Sequence, residues 1–494
     1  MIDLQQLLPP FNPWWRDKTK AFRDLEGFHR PIFEDLKEDI DLLQQIISLT
    51  GPRRVGKTTL VHQLIQNLIG NGVNPRRIVY YSMDDPALML QSKEEINSFI
   101  EEAMQMARKS VDDRSSTVDD RSSTVEPFYF FLDEIQRLDG WELYLKKYYD
   151  LKYPVRFVIS GSASSPIFKK SRESLLGRVK DYRLLPFSFR EYVLYDNFIS
   201  KKKKSYSKEI KDLDKSALGI VQQITDPFNA SNSVVIPKVS IGLKHRLETL
   251  LASYLYEGGF PEVWKLPTLV AKQDYLFDNQ VRKVIDEDLV LAVELRKPEL
   301  LKKFYLSLLA IPGMEKNIGE ISGETGINKQ QIEKYLPMLE MTDLLFQVPK
   351  FRSGSLNVRR GNVKFYLSDL ALRNAVLRIS PESLMSDDET LGRYAENLVF
   401  LALKKNRSSL QIDFYREKNE EIDFIVHAGA GRYVPIEVKY RNKLSYADGK
   451  LLGKFVRKYP KSALPIIITK HWEDFGYKEN VFLWPLPLFL MMFG

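Results

Sequence analysis

Gly51-Pro52-Arg53-Arg54-Val55-Gly56-Lys57-Thr58-Thr59 fits the pattern G-x-x-x-x-G-K-[ST] at every fixed position. Its glycines let the backbone curl so that successive N–H groups face a phosphate chain, and a following helix would add the positive end of its dipole. In that setting Lys57 neutralises β- and γ-phosphate oxygens, and Thr58 offers a hydroxyl to Mg²⁺. About seventy-five residues on, the apolar run Phe128-Tyr-Phe-Phe-Leu132 ends in Asp133-Glu134. A pair of acids at a strand tip suits hydrolysis: Asp133 to hold the metal through water, Glu134 to polarise the attacking water. A further strand, VRFVISGS, ends in Ser160-Gly-Ser162, which puts the Ser160 hydroxyl where it could sense a γ-phosphate or position water, although Ser and Gly also simply end strands. Together these residues predict a site for ATP and Mg²⁺.

A second group of hard oxygen donors lies near the C-terminus. Glu421-Ile-Asp423 and Val434-Pro-Ile-Glu437-Val-Lys439 read as consecutive strands, and period two puts Glu437 and Lys439 on one side. Asp on one strand and Glu-x-Lys on its neighbour form a way to bind Mg²⁺ beside a lysine that orients or deprotonates water. The other reading of the same residues is two amphipathic strands with charged outer faces. The pattern resembles the PD-(D/E)xK nuclease superfamily. That resemblance implies Asp423 and Glu437 as metal ligands, Lys439 as the catalytic lysine and Glu396, on a helix, as the additional acid, in a superfamily whose members also include folds without the activity. The histidines, His29, His62, His245, His427 and His471, show no metal-ligand spacing.

The elements that must carry the phosphate loop alternate between residues 44 and 195: QIISLT, KTTLVHQLIQNLI, RIVYYSM, FYFFLD, VRFVISGS. Short β-branched and aromatic runs separated by helical patterns predict a parallel sheet covered by helices. A tandem VDDRSST heptad at 111–117 and 118–124 interrupts the pattern and reads as a duplicated exposed loop. From 199 to 245 the periodicity decays around a lysine run at 201–204, which reads as a polar insertion or linker. Helical patterning returns at 246–310. At 311–390 a helix, a turn at Gly326 and a second helix with Ile332, Leu336 and Leu339 on one face precede two strands, which suits a winged helix. Arg352, Arg359 and Arg360 around those strands are donors for DNA phosphates, although such a module also serves as a packing surface. Pro337 falls inside the second helix, where it removes a backbone hydrogen bond. The predicted segments are thus 1–198, 199–245, 246–310, 311–390 and 391–494, the last a second α/β domain.

The phosphate loop and LDEIQ resemble the AAA+ ATPases. With ISGS, Leu176-Gly177-Arg178, LLPFSFREY and EGGFPEVW, the chain looks like the archaeal and bacterial ATPases that pair an AAA_14 domain with DUF4143. The resemblance implies a P-loop NTPase fold followed by a winged-helix module and a restriction-endonuclease-like α/β domain. It also implies Arg178 as an arginine finger, acting in cis or in trans, and assembly into a homo-oligomer, for which the sequence carries no interface signal.

Composition narrows the partners. The 494 residues lack cysteine, which removes disulfides, thiolate zinc sites and a cysteine nucleophile. Lys+Arg 73 against Asp+Glu 65 leaves +8, compatible with a polyanion such as DNA without requiring one. The apolar C-terminal stretch from Val481 is fourteen residues long and broken by Pro485 and Pro487, too short to span a bilayer. It reads as a buried tail, and the expectation is a cytoplasmic protein without a membrane partner. The function expected is a Mg²⁺-dependent ATPase switch coupled to DNA. The alternatives are an ATP-regulated, metal-dependent DNA nuclease and a non-catalytic ATP-controlled adaptor.

Overall fold

The computed structural model describes residues 4–18, 21–89, 101–103, 105, 126–138, 140–162, 175–200, 206–225, 237–289, 297–310, 312–352, 362–405, 410–429, 431–445, 448–478 and 480–494. The tandem heptads, the lysine run at 201–204, and Arg359 and Arg360 lie outside them. The chain forms two compact units, Met1–Leu184 and a second whose described residues run from Leu185 to Gly494.

In the first unit, β1 (Ile46–Gly51), β2 (Ile78–Ser82), β3 (Phe128–Asp133), β4 (Val155–Ser162) and β5 (Val179–Arg183) form one sheet in the order β2-β3-β4-β1-β5. Every pairing is parallel. The P-loop α/β fold expected from the sequence is therefore present. β1 and β3 are buried along their whole length, which is why they read as unbroken apolar runs rather than alternating ones. The N-terminal extension has a structural task. After α1 (Leu4–Phe11), the fully buried Asn12 donates to Tyr80 O (2.9 Å) and accepts from Tyr80 N (2.7 Å), and the Trp14 and Trp15 indoles donate to Ile78 O. These bonds occupy the backbone groups that the edge strand β2 would otherwise leave open. α2 (Ile32–Leu42), α3 (Lys57–Gly70) and α4 (Trp141–Asp150) also belong to this unit.

The second unit starts at Leu185, inside the LLPFSFREY phrase and before residue 199. Phe187 N donates to Gly259 O (2.8 Å), Tyr254 OH donates to Phe187 O (2.6 Å), and the Phe187 and Trp264 rings meet edge to face at 5.2 Å. The two phrases that looked like family signatures are thus two halves of one contact. Gly258 adopts φ 71°, where a Cβ would fall 2.1 Å from Asp369 Oδ1, and a Cβ on Gly259 would fall 2.1 Å from Phe187 O. Asp369 accepts from Gly259 N (2.6 Å), and burial raises its carboxyl to about 6.

α5 (Phe189–Ile199) is followed by α6 (Ser207–Thr225), inside the stretch read as a patternless insertion. Ile210, Leu213, Ala217 and Ile220 are buried at helical spacing. The charged residues between them hid the period. α7 (Ile241–Glu257) and α8 (Pro298–Leu309) lead into β6 (Glu315–Lys316), α9 (Ile318–Thr325), α10 (Lys329–Met341), β7 (Leu345–Pro349) and β8 (Val363–Leu367). The three strands form an antiparallel sheet in the order β6-β8-β7. Gly326 closes α9 at φ 69°, and α10 continues through Pro337. After α11 (Leu370–Val376) and α12 (Asp388–Lys405), six strands form a mixed sheet in the order β13-β14-β12-β11-β10-β9. These are β9 (Ile412–Glu417), β10 (Glu420–His427), β11 (Tyr433–Lys439), β12 (Ile466–Thr469), β13 (Gly476–Lys478) and β14 (Val481–Pro485). α13 (Lys450–Lys458) packs on β10 and β11. The apolar tail is β14 followed by the buried α14 (Leu486–Phe493), and no described helix is long and apolar enough to cross a membrane.

Because Gly259 has no room for a side chain, Gly259→Ala is expected to lower unfolding free energy by about 1–3 kcal/mol. Gly453→Ala, on an open face of α13, should instead raise it by about 0.5–1 kcal/mol. Urea titrations of both variants check the pair.

Candidate functional site

β1 delivers the chain into the phosphate loop at Gly51, where a Cβ would meet Leu184 O at 2.0 Å. The loop turns through Arg54 at φ 62° and Gly56 at φ 97° before α3 begins at Lys57. Lys57 is buried, and its ammonium donates to Gly51 O (3.0 Å) and Pro52 O (2.9 Å), folding back over the loop. Arg30 closes the other side by donating to Val55 O at 3.1 Å.

Asp133 is the hub of the site. It ends β3 and accepts from Thr58 Oγ1 (2.7 Å) and Tyr80 OH (3.2 Å) on one oxygen, and from Ser160 Oγ and Glu134 N (3.0 Å) on the other. Thr58 and Asp133 therefore stand together, as the sequence predicts. Ser160 stands at the same cluster. Its hydroxyl is directed at the Asp133 carboxylate, so it fixes that group's orientation. Glu134 adopts φ 50°, and Gln136 Nε2 donates to its carboxylate. Burial pushes the Glu134 carboxyl above its ordinary range, against the pull of Lys57. A hydroxyl and a carboxylate side by side, next to a lysine that meets only carbonyls in these bonds, make a donor set fitted to a magnesium nucleotide.

Arg178 sits elsewhere. Its carbonyl accepts from Ile46 N at 2.8 Å, at the entry of β1 and β5, while the phosphate loop leaves the exit of β1. Five strand steps of about 3.3 Å separate the ends by about 16 Å. Arg178 is therefore not a cis-acting cation for this loop. Its guanidinium forks onto Asp150 at 2.7 and 3.2 Å, partly exposed beside the edge strand β5.

The C-terminal acids do meet, but differently from the expected metal site. α12 supplies Glu396, β10 supplies Glu421 and Asp423, and β11 supplies Glu437 and Lys439. Lys364 of β8, 2% exposed, enters among them. Its Nζ lies 2.8 Å from Glu396 Oε1 and 3.3 Å from Asp423 Oδ1, and it also pairs with Glu421. Tyr366 OH donates to Glu396 (2.6 Å), Val438 N to Asp423 Oδ2 (2.8 Å), and Lys439 pairs with Glu437. Burial, then the charge of Asp423, raises Glu396 to about 7 and Glu437 well above its ordinary value. Burial favours a neutral Lys364, yet Glu396, Asp423 and Glu421 outweigh it and hold the amine protonated. Among the described residues no group of three or more His, Asp or Glu side chains is arranged to hold a metal ion. Glu396 and Asp423, expected from the sequence to hold Mg²⁺, pair instead with Lys364, and Glu437 pairs with Lys439.

Lys364 and Glu421 were missed from sequence, though each left a sign. Lys364 is a lone charge in the apolar run VKFYL, and Glu421 shares the strand face of Asp423 at a spacing of two.

Residues 43–193 match the AAA_14 family model, described as an AAA domain. Residues 248–383 match DUF8612 and residues 391–489 match DUF4143, both domains of unknown function. An uncharacterized protein of Methanocaldococcus jannaschii, MJ1637, is 25% identical over 482 residues, 93% of this chain and 88% of its own. Another from the same organism, MJ1544, is 23% identical over 384 residues, 76% of this chain and 70% of its own. Among solved structures, that of C. elegans PCH-2 matches 52% of this chain and 65% of its own, under two thirds, at 14% identity and a TM-score of 0.29. The chain thus carries an AAA domain of the AAA_14 family over residues 43–193 and a DUF4143 domain over residues 391–489.

Proposed function

We propose that the first unit binds ATP with Mg²⁺ and hydrolyses it, and that the nucleotide cycle acts as a switch coupled to DNA. The observation that carries this reading is the hydrogen bond from Thr58 to Asp133 beside Lys57. Thr58 and Asp133 are the residues to hold the metal, which when bound would draw charge off the transferring phosphoryl group. Lys57 leaves the carbonyls of Gly51 and Pro52 for the β/γ-phosphates, and the N–H groups from Arg53 to Thr59 cradle them. Glu134 orients the attacking water and takes its proton, with Gln136 steadying the carboxylate. Ser160 and Tyr80 keep Asp133 aimed at the metal. Arg178, away from its own loop and paired with Asp150, is read as acting on the nucleotide of a neighbouring copy in a homo-oligomer.

The DNA coupling is supported by the element order of 298–367. Helix, short strand, two helices and an antiparallel strand pair are the parts of a winged helix in sequence order. Lys329, Gln330 and Lys334 of α10 are exposed, and offer donors to phosphates and base edges. No nuclease step is proposed, because the C-terminal carboxylates are held by lysines.

Lys57→Ala should abolish measurable binding of a fluorescent ATP analogue, and Glu134→Gln should keep binding while slowing hydrolysis by about 100-fold or more. Full turnover in both variants would defeat the ATPase reading. Arg178→Ala should lower turnover by about 10³-fold in concentrated, assembled protein with ATP affinity unchanged. An equal loss in dilute monomer counts against the trans role. Replacing Lys329 and Lys334 by Ala should reduce the slope of log affinity for duplex DNA against log salt by about 1 per lysine. A slope that stays the same removes α10 from the interface.

A further inference from the structure

The carboxylate cluster of the second unit differs from the Asp133 site in holding a buried ammonium among its acids. Its acids come from α12 and β10, and the cation among them comes from β8, on a different sheet. Glu396 receives Lys364 and Tyr366 on the same oxygen, Oε1. Asp423 gives one oxygen to Lys364 and the other to Val438 N. Glu437 takes Lys439 on one oxygen and Asp423 N, at 3.3 Å, on the other. Each of the three acids that would bind Mg²⁺ is thus already engaged with a donor of this chain.

A buried ammonium within 3.3 Å of two of those acids also repels any second cation brought to the same oxygens, and at low local dielectric that repulsion is strong. Removing one partner of such a buried group leaves uncompensated charge, which is why the cluster is held together as a set.

We propose that Lys364 is the resident cation of this cluster, an ammonium standing where a divalent, oxygen-seeking metal would sit, so that the DUF4143 domain of this chain binds no metal there while β8 is in place. The lysine ties β8 to β10 and α12, doing with a side chain what metal-bridged acids do elsewhere. Glu396, Glu421 and Asp423 form no metal-holding group as they stand; with the amine withdrawn they lose their shared cation and can close on a divalent ion in its place. The claim is independent of the ATPase reading, and its test silences the first unit.

The test uses the full-length, nucleotide-free chain carrying Asp133→Asn, stripped with EDTA and titrated with Mn²⁺, free ion being followed by electron paramagnetic resonance. The parent is expected to bind no Mn²⁺ in the second unit, and its melting temperature to be unmoved by the ion. Lys364→Met should gain one Mn²⁺ per chain, and adding Asp423→Asn should remove it. Lys364→Gln serves as the second variant where the methionine fails to fold. A parent that binds one Mn²⁺, lost on adding Asp423→Asn, overturns the proposal. So does a folded Lys364→Met or Lys364→Gln chain that gains none. If neither lysine variant folds, the parent titration decides: no binding upholds the proposal, and one ion lost with Asp423→Asn sinks it.

Discussion

One carboxylate organises the first unit. Asp133 gathers a hydroxyl from the helix after the phosphate loop, one from β2 and one from β4, so a single anion joins three separate chain segments at one end of the sheet. Hydrogen bonds to a charged acceptor are stronger than neutral ones, and burial strengthens them further. The parallel pairing that brings β3 and β4 together in register is what puts Ser160 beside this acid. Remove the negative charge, and Thr58 loses the partner that aims its hydroxyl.

The second unit has an analogous arrangement with the opposite emphasis. There a buried cation is the centre and the carboxylates surround it. In the first unit an acid is held by hydroxyls and a backbone N–H, with a lysine folded back on its own loop. In the second, acids and lysines satisfy one another. The difference is between an acid held by neutral donors and acids held by a buried cation, although both were flagged from sequence by the same residue types.

Local patterns were legible in the sequence and distant ones were not. The phosphate loop is nine consecutive residues between a strand and a helix, and the Asp133-Glu134 pair ends an apolar run, so both sites of chemistry could be read from neighbours alone. The sheet class followed from strand and helix alternation. What failed depended on where a side chain lands after folding. The hydrogen bond of Ser160 to Asp133 could not be read from the sequence, and Arg178 lies at the strand end opposite the loop. Lys364 is 32 residues from Glu396 and 59 from Asp423, a pairing no local period encodes. α6 was hidden by lysines and aspartates filling the spaces between its buried positions. The shared phrases LLPFSFREY and EGGFPEVW were noticed as text, and only their packing explains why the glycines are needed.

The origin of Lys364 on β8 bears on how the chain can be divided. A fragment begun at the DUF4143 boundary, residue 391, keeps Glu396, Glu421, Asp423 and Glu437 but leaves β8 behind. Such a piece keeps Lys439 on Glu437 and Arg416 on Glu421 but has lost the ammonium shared by Glu396, Glu421 and Asp423, so metal binding measured on it would not report on the intact chain.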